Sequence, residues 1–315
     1  MAGFSVASNE SLIRSNLWSN QLKEVLEDEL FAQKYVEWVT DFNDGTTFNI
    51  PSIGQAEVVD YAEGQAVQYS AMDQGNFTLT VTDYKSSATH ITNQMKMDSF
   101  YMDRLVAGFV PKMQRALMKT VEVDVLALES GQTASDSNTI NGAKHRYVGS
   151  GTNETITIED FAKARYALQK ANVPAVGLTA IIDPSCEYTL NTLTNLVNVS
   201  NNPRWEGVVS TGMSTGMRFL YNIEGFDVYT SQNLATANET IDAVTTAAGK
   251  ANMFFSAASD VTPFIGVMRQ SPKVDFEYNK DLQRDEYVTT MRYGLKLYRP
   301  ENLVCVLTDT DQVYA

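Results

Sequence analysis

His90 and His145 are the only histidines in the chain, so acid–base chemistry near neutral pH or a Ser-His-Asp relay would have to use one of them. His90 falls in a strand-like segment and His145 in a Gly- and Asn-rich loop, and no serine occupies a nucleophile elbow. Both histidines read as residues without a catalytic task. A metal would need grouped carboxylates, and two groups exist. Glu27-Asp28-Glu29 reads as the solvated face of a helix. Asp281, Asp285 and Glu286 adjoin Lys280 and Arg284 and read as a charged turn, with a metal site as the rival reading. EF-hand spacing is absent. The stretch Gly207 to Gly216 lacks the lysine and the strand-to-helix setting of a phosphate loop. Cys186 and Cys305 are far apart in apolar surroundings and read as buried free thiols. The expectation is no catalytic, cofactor or metal site.

Elements without active-site chemistry must then carry the function. Residues 46–92 read as a long polar β-ribbon. Phe77, Leu79 and Val81 alternate with Thr78, Thr80 and Thr82 on its return limb. The outgoing limb, Thr46 to Val59, contains Pro51 and Gly54, which suit an edge. Limbs of about 14 residues at roughly 3.3 Å each would reach ~45 Å. A lone ribbon of that length is marginal in water, so it needs a surface to lie on, and a neighbouring subunit supplies one. The tip, Tyr61 to Gly75, is rich in Gly, Gln, Glu and Asp.

A long helix is expected over about 98–130, capped by Asp98 or Ser99 and stopped by Gly131. Met102, Leu105, Val106, Phe109, Met113, Leu117 and Thr120 or Val121 form its apolar stripe. Arg104, Lys112, Arg115 and Lys119 cluster within roughly 80° on another face. That basic stripe could meet an acidic partner, an enclosed polyanion or another subunit. It could equally be a solvated face paired with Glu122 and Asp124. Pro111 removes a backbone hydrogen bond and predicts a kink, at about 3 kcal/mol without compensation.

The remaining elements are an α+β mixture without internal repeats. Residues 9–38 have a helical rhythm. Residues 131–156 read as a loop with a short hairpin, followed by a helix at 158–171 opened by Thr157 and Asp160 and ended by Asn172. Leu178 to Asp183 reads as a buried strand and 185–198 as a helix. Glu224-Gly225 reads as a turn feeding a strand, and 235–252 as a polar loop. Residues 263–269, 274–278, 287–297 and 303–307 read as strands.

Net charge is −14, which disfavours sequence-specific binding to a phosphate backbone but allows a protein that encloses nucleic acid without gripping it. No signal peptide and no membrane span are visible, so the sequons at Asn76, Asn153 and Asn238 are expected to be idle. A reducing compartment such as bacterial cytosol follows from the cysteine usage.

In this order of elements the chain resembles tailed-bacteriophage major capsid proteins of the HK-97 fold, especially those of short-tailed phages. Tyr61-Ala62-Glu63-Gly64-Gln65, Ala167 to Ala175, Asp183-Pro184, Gly225-Phe226-Asp227-Val228 and Tyr293-Gly294-Leu295 to Arg299-Pro300-Glu301 carry the likeness. The resemblance implies an N-terminal arm at 1–45 and an extended E-loop at 46–92. It implies a peripheral domain at 93–156 and 263–315 around the spine helix, and an axial domain at 157–262. It further implies hexamers and pentamers of one chain forming an icosahedral shell around double-stranded DNA, assembled in the host bacterial cytoplasm. Scaffolding and portal proteins, and in some phages a decoration protein, would be its partners, with no cofactor. Intersubunit contact is expected at the E-loop tip, through Asp60, Tyr61, Glu63, Gly64, Gln65 and Asp73. Covalent crosslinking, known in some members of the fold, is not carried over, because Lys85 is the ribbon's one lysine and lies away from the tip. The rival readings are an encapsulin-type shell around protein cargo, an acidic α+β enzyme or metal binder, and an exported surface protein.

Overall fold

The computed structural model describes residues 30–39, 45–53, 60, 63–64, 66, 74–98, 102–132, 138–192, 219–259 and 261–310. A 25-residue helix, Met102–Leu126, runs between two sheets and continues into a 3-10 turn at Ala127–Gly131. This is the expected spine, described from Met102 onward. Asn93–Asp98 is also helical. Met113, Leu117, Val121, Val125 and Leu126 are buried, as the apolar stripe requires.

One sheet has four strands in the order Val36–Val39, Phe264–Asn279, Arg284–Leu297, Asp83–Thr92. The first pair is parallel and the other two are antiparallel. Leu117, Val121 and Val125 of the spine share a core with Phe264, Met291, Tyr293 and Leu297 of this sheet.

The second sheet has six strands: Arg146–Val148, Leu303–Asp309, Gly249–Ser256, Leu178–Ile182, Phe226–Thr230 and Phe219–Ile223. Its central strands are buried on both faces, which is why they read as continuous apolar runs. Alternation along Gly249–Ser256 sends Met253 and Phe255 towards the spine and Phe254 towards the helix Ile158–Lys170. There Phe254, Phe161 and Phe226 meet edge to face, with centroids 5.1–6.3 Å apart. The capping box predicted for this helix is present: Asp160 accepts the Thr157 N–H at 2.9 Å, and Asn172 ends the helix at φ +60°.

Four expectations need correction. Residues 36–38, the end of the segment expected to be helical, lie in the strand Val36–Val39, because β-branched Val36 and Val39 complete the hydrogen-bonding edge at Phe264–Val267. The ribbon's return limb is not continuous to residue 92. Thr47–Ile53 pairs with Gln74–Thr80, and the chain then crosses at Val81-Thr82 to pair Asp83–Thr92 with Arg284–Tyr293. Among the described residues the paired limbs span seven residues each, about 23 Å at ~3.3 Å per residue. The polar loop expected over 235–252 contains the hairpin Thr240–Ile241 and Val244–Thr245 and the start of the central strand Gly249–Ser256. Finally, the six-stranded sheet joins Arg146–Val148 and Leu303–Asp309 to strands of the expected axial segment, so the two expected domains share a sheet.

Candidate intersubunit surface

The ribbon is held at its root. Leu79 and Val81 are buried against Ile265 and Val267, and Phe48, Ile50 and Phe77 pack onto the same cluster. Phe77 meets Tyr298 edge to face at 4.9 Å. Lys296 places its ammonium 4.8 Å from the Phe77 ring and donates to the Thr78 carbonyl at 2.8 Å. Gly294 makes the crossing possible. A Cβ at that position would lie 2.7 Å from the Thr80 carbonyl oxygen and 3.0 Å from the Val81 Cα, so only glycine lets the ribbon approach this closely.

At the tip, Asp60, Glu63 and Gly64 are exposed, and Gly64 takes φ +86°, the turn conformation its residue type favours. Tyr61, Gln65 and Asp73 lie outside the described residues. Among the described tip residues, Asp60 and Glu63 are the two acids.

The N-terminal segment is fixed by a buried carboxylate that spacing alone did not single out. Glu122, fully buried on the spine, accepts the N–H of Phe31 at 3.2 Å and that of Ala32 at 2.9 and 3.0 Å. Glu122 is therefore turned inward and does not offer the basic stripe a solvated partner. Asp124 is engaged by the Tyr293 hydroxyl and lies 3.8 Å from Lys85. Of the stripe itself, Lys112 and Lys119 are exposed and Arg115 is half-buried, while the side chain of Arg104 lies outside the description. The spine runs unbroken through the exposed Pro111.

The candidates for chemistry are not brought together. His90 is exposed on the outer strand of the four-stranded sheet. His145 is buried. Its Nδ1 donates to the Ala143 carbonyl at 3.0 Å, and burial holds its pKa below the usual imidazole value. Asp285 pairs with Lys96, and Glu286 accepts from Arg284 at 2.6 Å and Asn279 at 3.2 Å, while the Asp281 N–H donates to Asn279. The carboxylates of Asp285 and Glu286 are thus engaged by neighbouring side chains. Among the described residues, no three His, Cys, Asp or Glu side chains are placed to hold a metal. Cys186 and Cys305 are free and buried, and burial pushes the Cys186 thiol up to about 12. An open cleft of about 590 Å³ lies between the Asn141-Gly142 turn, Tyr166 and the Asp242 turn. Lys144 pairs with Asp242, and no histidine or cysteine is among the described residues lining the cleft.

A buried ionic knot also escaped the sequence. Arg146, 1% exposed, is bonded to Glu129 at the end of the spine and to both oxygens of Glu239, at 2.6 and 2.8 Å. It ties the spine to the six-stranded sheet and to the loop beyond it. Burial raises the Glu129 pKa against the pull of Arg146, whose own pKa is raised by the two carboxylates despite its burial. The opposing causes mark a knot that holds only while its charges are matched.

The described residues thus form a long spine helix packed on two sheets, with a ribbon rooted beside it. The sequence matches the phage capsid protein family over residues 76–306. The chain belongs to that family.

No curated protein sequence matches this capsid protein. Its fold is similar to a chain of the capsid of cyanophage P-SCSP1u, with TM-score 0.73 at 15% identity over 97% of this chain and 94% of that one. It is also similar to a chain of Mycobacterium phage Che8, with TM-score 0.69 at 18% identity over 94% and 97% of the two chains. A chain of the cyanophage Pam1 capsid gives TM-score 0.69 at 14% identity over 99% and 100%. The capsid protein thus has the HK-97-like α+β fold, and its role is structural.

Proposed function

We propose that this chain is the major shell subunit of a phage, assembling through its ribbon into hexamers and pentamers of an icosahedral capsid around double-stranded DNA. The observation that carries the reading is the ribbon: its root is packed and its described tip residues, Asp60, Glu63, Gly64 and Ala66, are exposed, an arm made to lie on another copy. In this reading residues 1–45 form an arm and the ribbon proper covers 46–80. Residues 83–92 pass to the peripheral sheet beside the spine helix, and 157–262 form most of the axial part. Asp60, Tyr61, Glu63, Gly64, Gln65 and Asp73 contact the neighbour. Arg104, Lys112, Arg115 and Lys119 face a scaffolding protein, the lumen or another subunit. Assembly takes place in the host bacterial cytoplasm with scaffolding and portal proteins, and the net charge of −14 keeps the packaged DNA from adhering.

Ile53 and Gln74 are cross-strand partners, so an Asn-Gly turn joining them would remove 54–73 and close the ribbon. The shortened subunit is expected to fold with wild-type circular dichroism and to sediment only as small species, where the wild type forms shells. Shells of normal size and yield from the shortened subunit would overturn the ribbon's role.

A further inference from the structure

The six-stranded sheet ends at the strand Arg146–Val148, and one side of that strand is open. Towards the sheet, the His145 carbonyl accepts the Cys305 N–H at 2.8 Å and the Gly149 N–H donates to the Leu307 carbonyl at 2.8 Å. Main-chain groups alternate in direction along a strand, so Val148, one residue out of phase with Gly149, turns its N–H and C=O away from the sheet. Among the described residues no hydrogen bond engages either group.

The cleft of about 590 Å³ lies along this open edge, with Val148 and Gly149 among its lining residues. Its two walls stand on opposite faces of the sheet. On one face Tyr147 packs with Ala164 and Ala167 and donates to the Asp160 carbonyl at 2.7 Å, so the helix Ile158–Lys170 makes that wall with Tyr166 and Ala167. On the other face Val148 packs beside Ile241, and the hairpin makes the second wall with Ile241 and Val244. Tyr166 and Val244 are exposed. A main-chain edge flanked by apolar side chains on both faces is the shape left by a missing seventh strand. Consecutive residues of a strand face opposite ways, so each wall would receive one of them.

The chain carries a segment of that kind beside the slot. At the end of the strand Leu303–Asp309, Asp309 accepts the Ala247 N–H at 3.0 Å and the Thr310 N–H donates to the Ala248 carbonyl at 3.2 Å. Asp311-Gln312-Val313-Tyr314-Ala315 follows, in which Val313 and Tyr314 are adjacent strand formers, one for each wall. The slot lies two strand spacings from Leu303–Asp309, about 10 Å, and five extended residues reach ~16 Å.

We infer that residues 311–315 cross over Gly149 and dock in this slot, setting Val313 and Tyr314 against its two walls and pairing main chain to main chain with Val148. The tail thereby closes an edge that would otherwise offer itself to a foreign strand. The contact is made within one subunit and does not depend on the shell reading.

Val244→Cys reports on the slot, because the native thiols Cys186 and Cys305 are buried. The variant is prepared as the full chain and as a chain stopped after Thr310, and both are treated with a maleimide as free subunits. Labelling is expected to be at least ~10-fold slower in the full chain, and the Val148 amide to exchange its hydrogen more slowly by a similar factor. Equal labelling rates in the two chains would overturn the inference: fast in both means the slot is open, slow in both means something else covers it. Val313→Ser with Tyr314→Ser, in the full chain carrying Val244→Cys, covers the case of a shortened subunit that misfolds. It should keep the wild-type circular dichroism and label as fast as an open slot, and labelling as slow as with the native tail would overturn the inference. Protection that appears only once shells have formed would assign the slot to a neighbouring copy, and would overturn it too.

Discussion

The Ala32 N–H points at the Glu122 carboxylate, 2.9 Å from Oε2 and 3.0 Å from Oε1, in a site from which water is excluded. With the Phe31 N–H at 3.2 Å, one buried acid satisfies two backbone donors at the point where the N-terminal segment meets the spine. From there the chain passes directly into the strand Val36–Val39 on the four-stranded sheet. Glu122 therefore couples the start of that strand to the spine helix.

Replacing Glu122 by Leu leaves both donors unsatisfied in the core, at a cost of about 2–4 kcal/mol. Urea denaturation of the subunit should show the loss, and trypsin should cut after Lys34 earlier than in the wild type. Glu122→Gln keeps an acceptor and should fall between the two. A Leu variant as stable as the wild type would remove the clamp from the account.

The Arg146 knot predicts an asymmetric response. Arg146→Met strands the buried Glu129 without a counter-charge and should destabilise by about 3–5 kcal/mol. Adding Glu129→Gln to Arg146→Met should recover part of that loss, which a double-mutant cycle by chemical denaturation measures.

His145 sets a pH dependence. Burial lowers its folded pKa below its unfolded value near 6.5, so the unfolded chain binds the proton more readily. The stability it contributes is present above that unfolded value and is lost as pH falls towards the folded one. Melting temperature should drop on acidification from about pH 7 to 5, and His145→Gln should flatten that part of the curve.

Pro111 is exposed in an uninterrupted helix and cannot donate to the carbonyl one turn before it. Pro111→Ala should raise subunit stability, by at most ~3 kcal/mol. If the spine bends as an immature shell expands, the same change should also slow expansion, followed by gel mobility of the shells. An expansion rate equal to that of the wild type would rule out a hinge at Pro111.

The ribbon tip should act through charge. Asp60→Asn with Glu63→Gln and Asp73→Asn is expected to weaken shell assembly and to leave subunit melting unchanged. Raising salt should weaken wild-type assembly in the same direction.

The elements with a local signature were legible in the sequence: the spine stripe from Met113 to Val121, the Thr157–Asp160 box and the all-apolar run Leu303 to Leu307. Hydrophobic period and caps are local, and they survive folding unchanged. The strand Gly249–Ser256 was not legible, because it opens with Gly, Lys and Ala and contains Asn252. That amide is buried only because Val306, Thr308 and Asp183 satisfy it from distant parts of the chain. Glu122, Glu129 and Arg146 were hidden for the same reason, since a buried charge and a solvated one look alike until the partner is in place. The break at Val81-Thr82 was masked because both halves of the return limb are genuine strands. Only the register to Arg284–Tyr293 shows that the second half belongs to another sheet.

Negative-stain electron microscopy of the purified, concentrated wild-type protein tests the central claim most directly. Closed icosahedral shells of uniform diameter, built from this chain, are the predicted result. A field of monodisperse monomers at the same concentration, with the subunit shown to be folded, would contradict it.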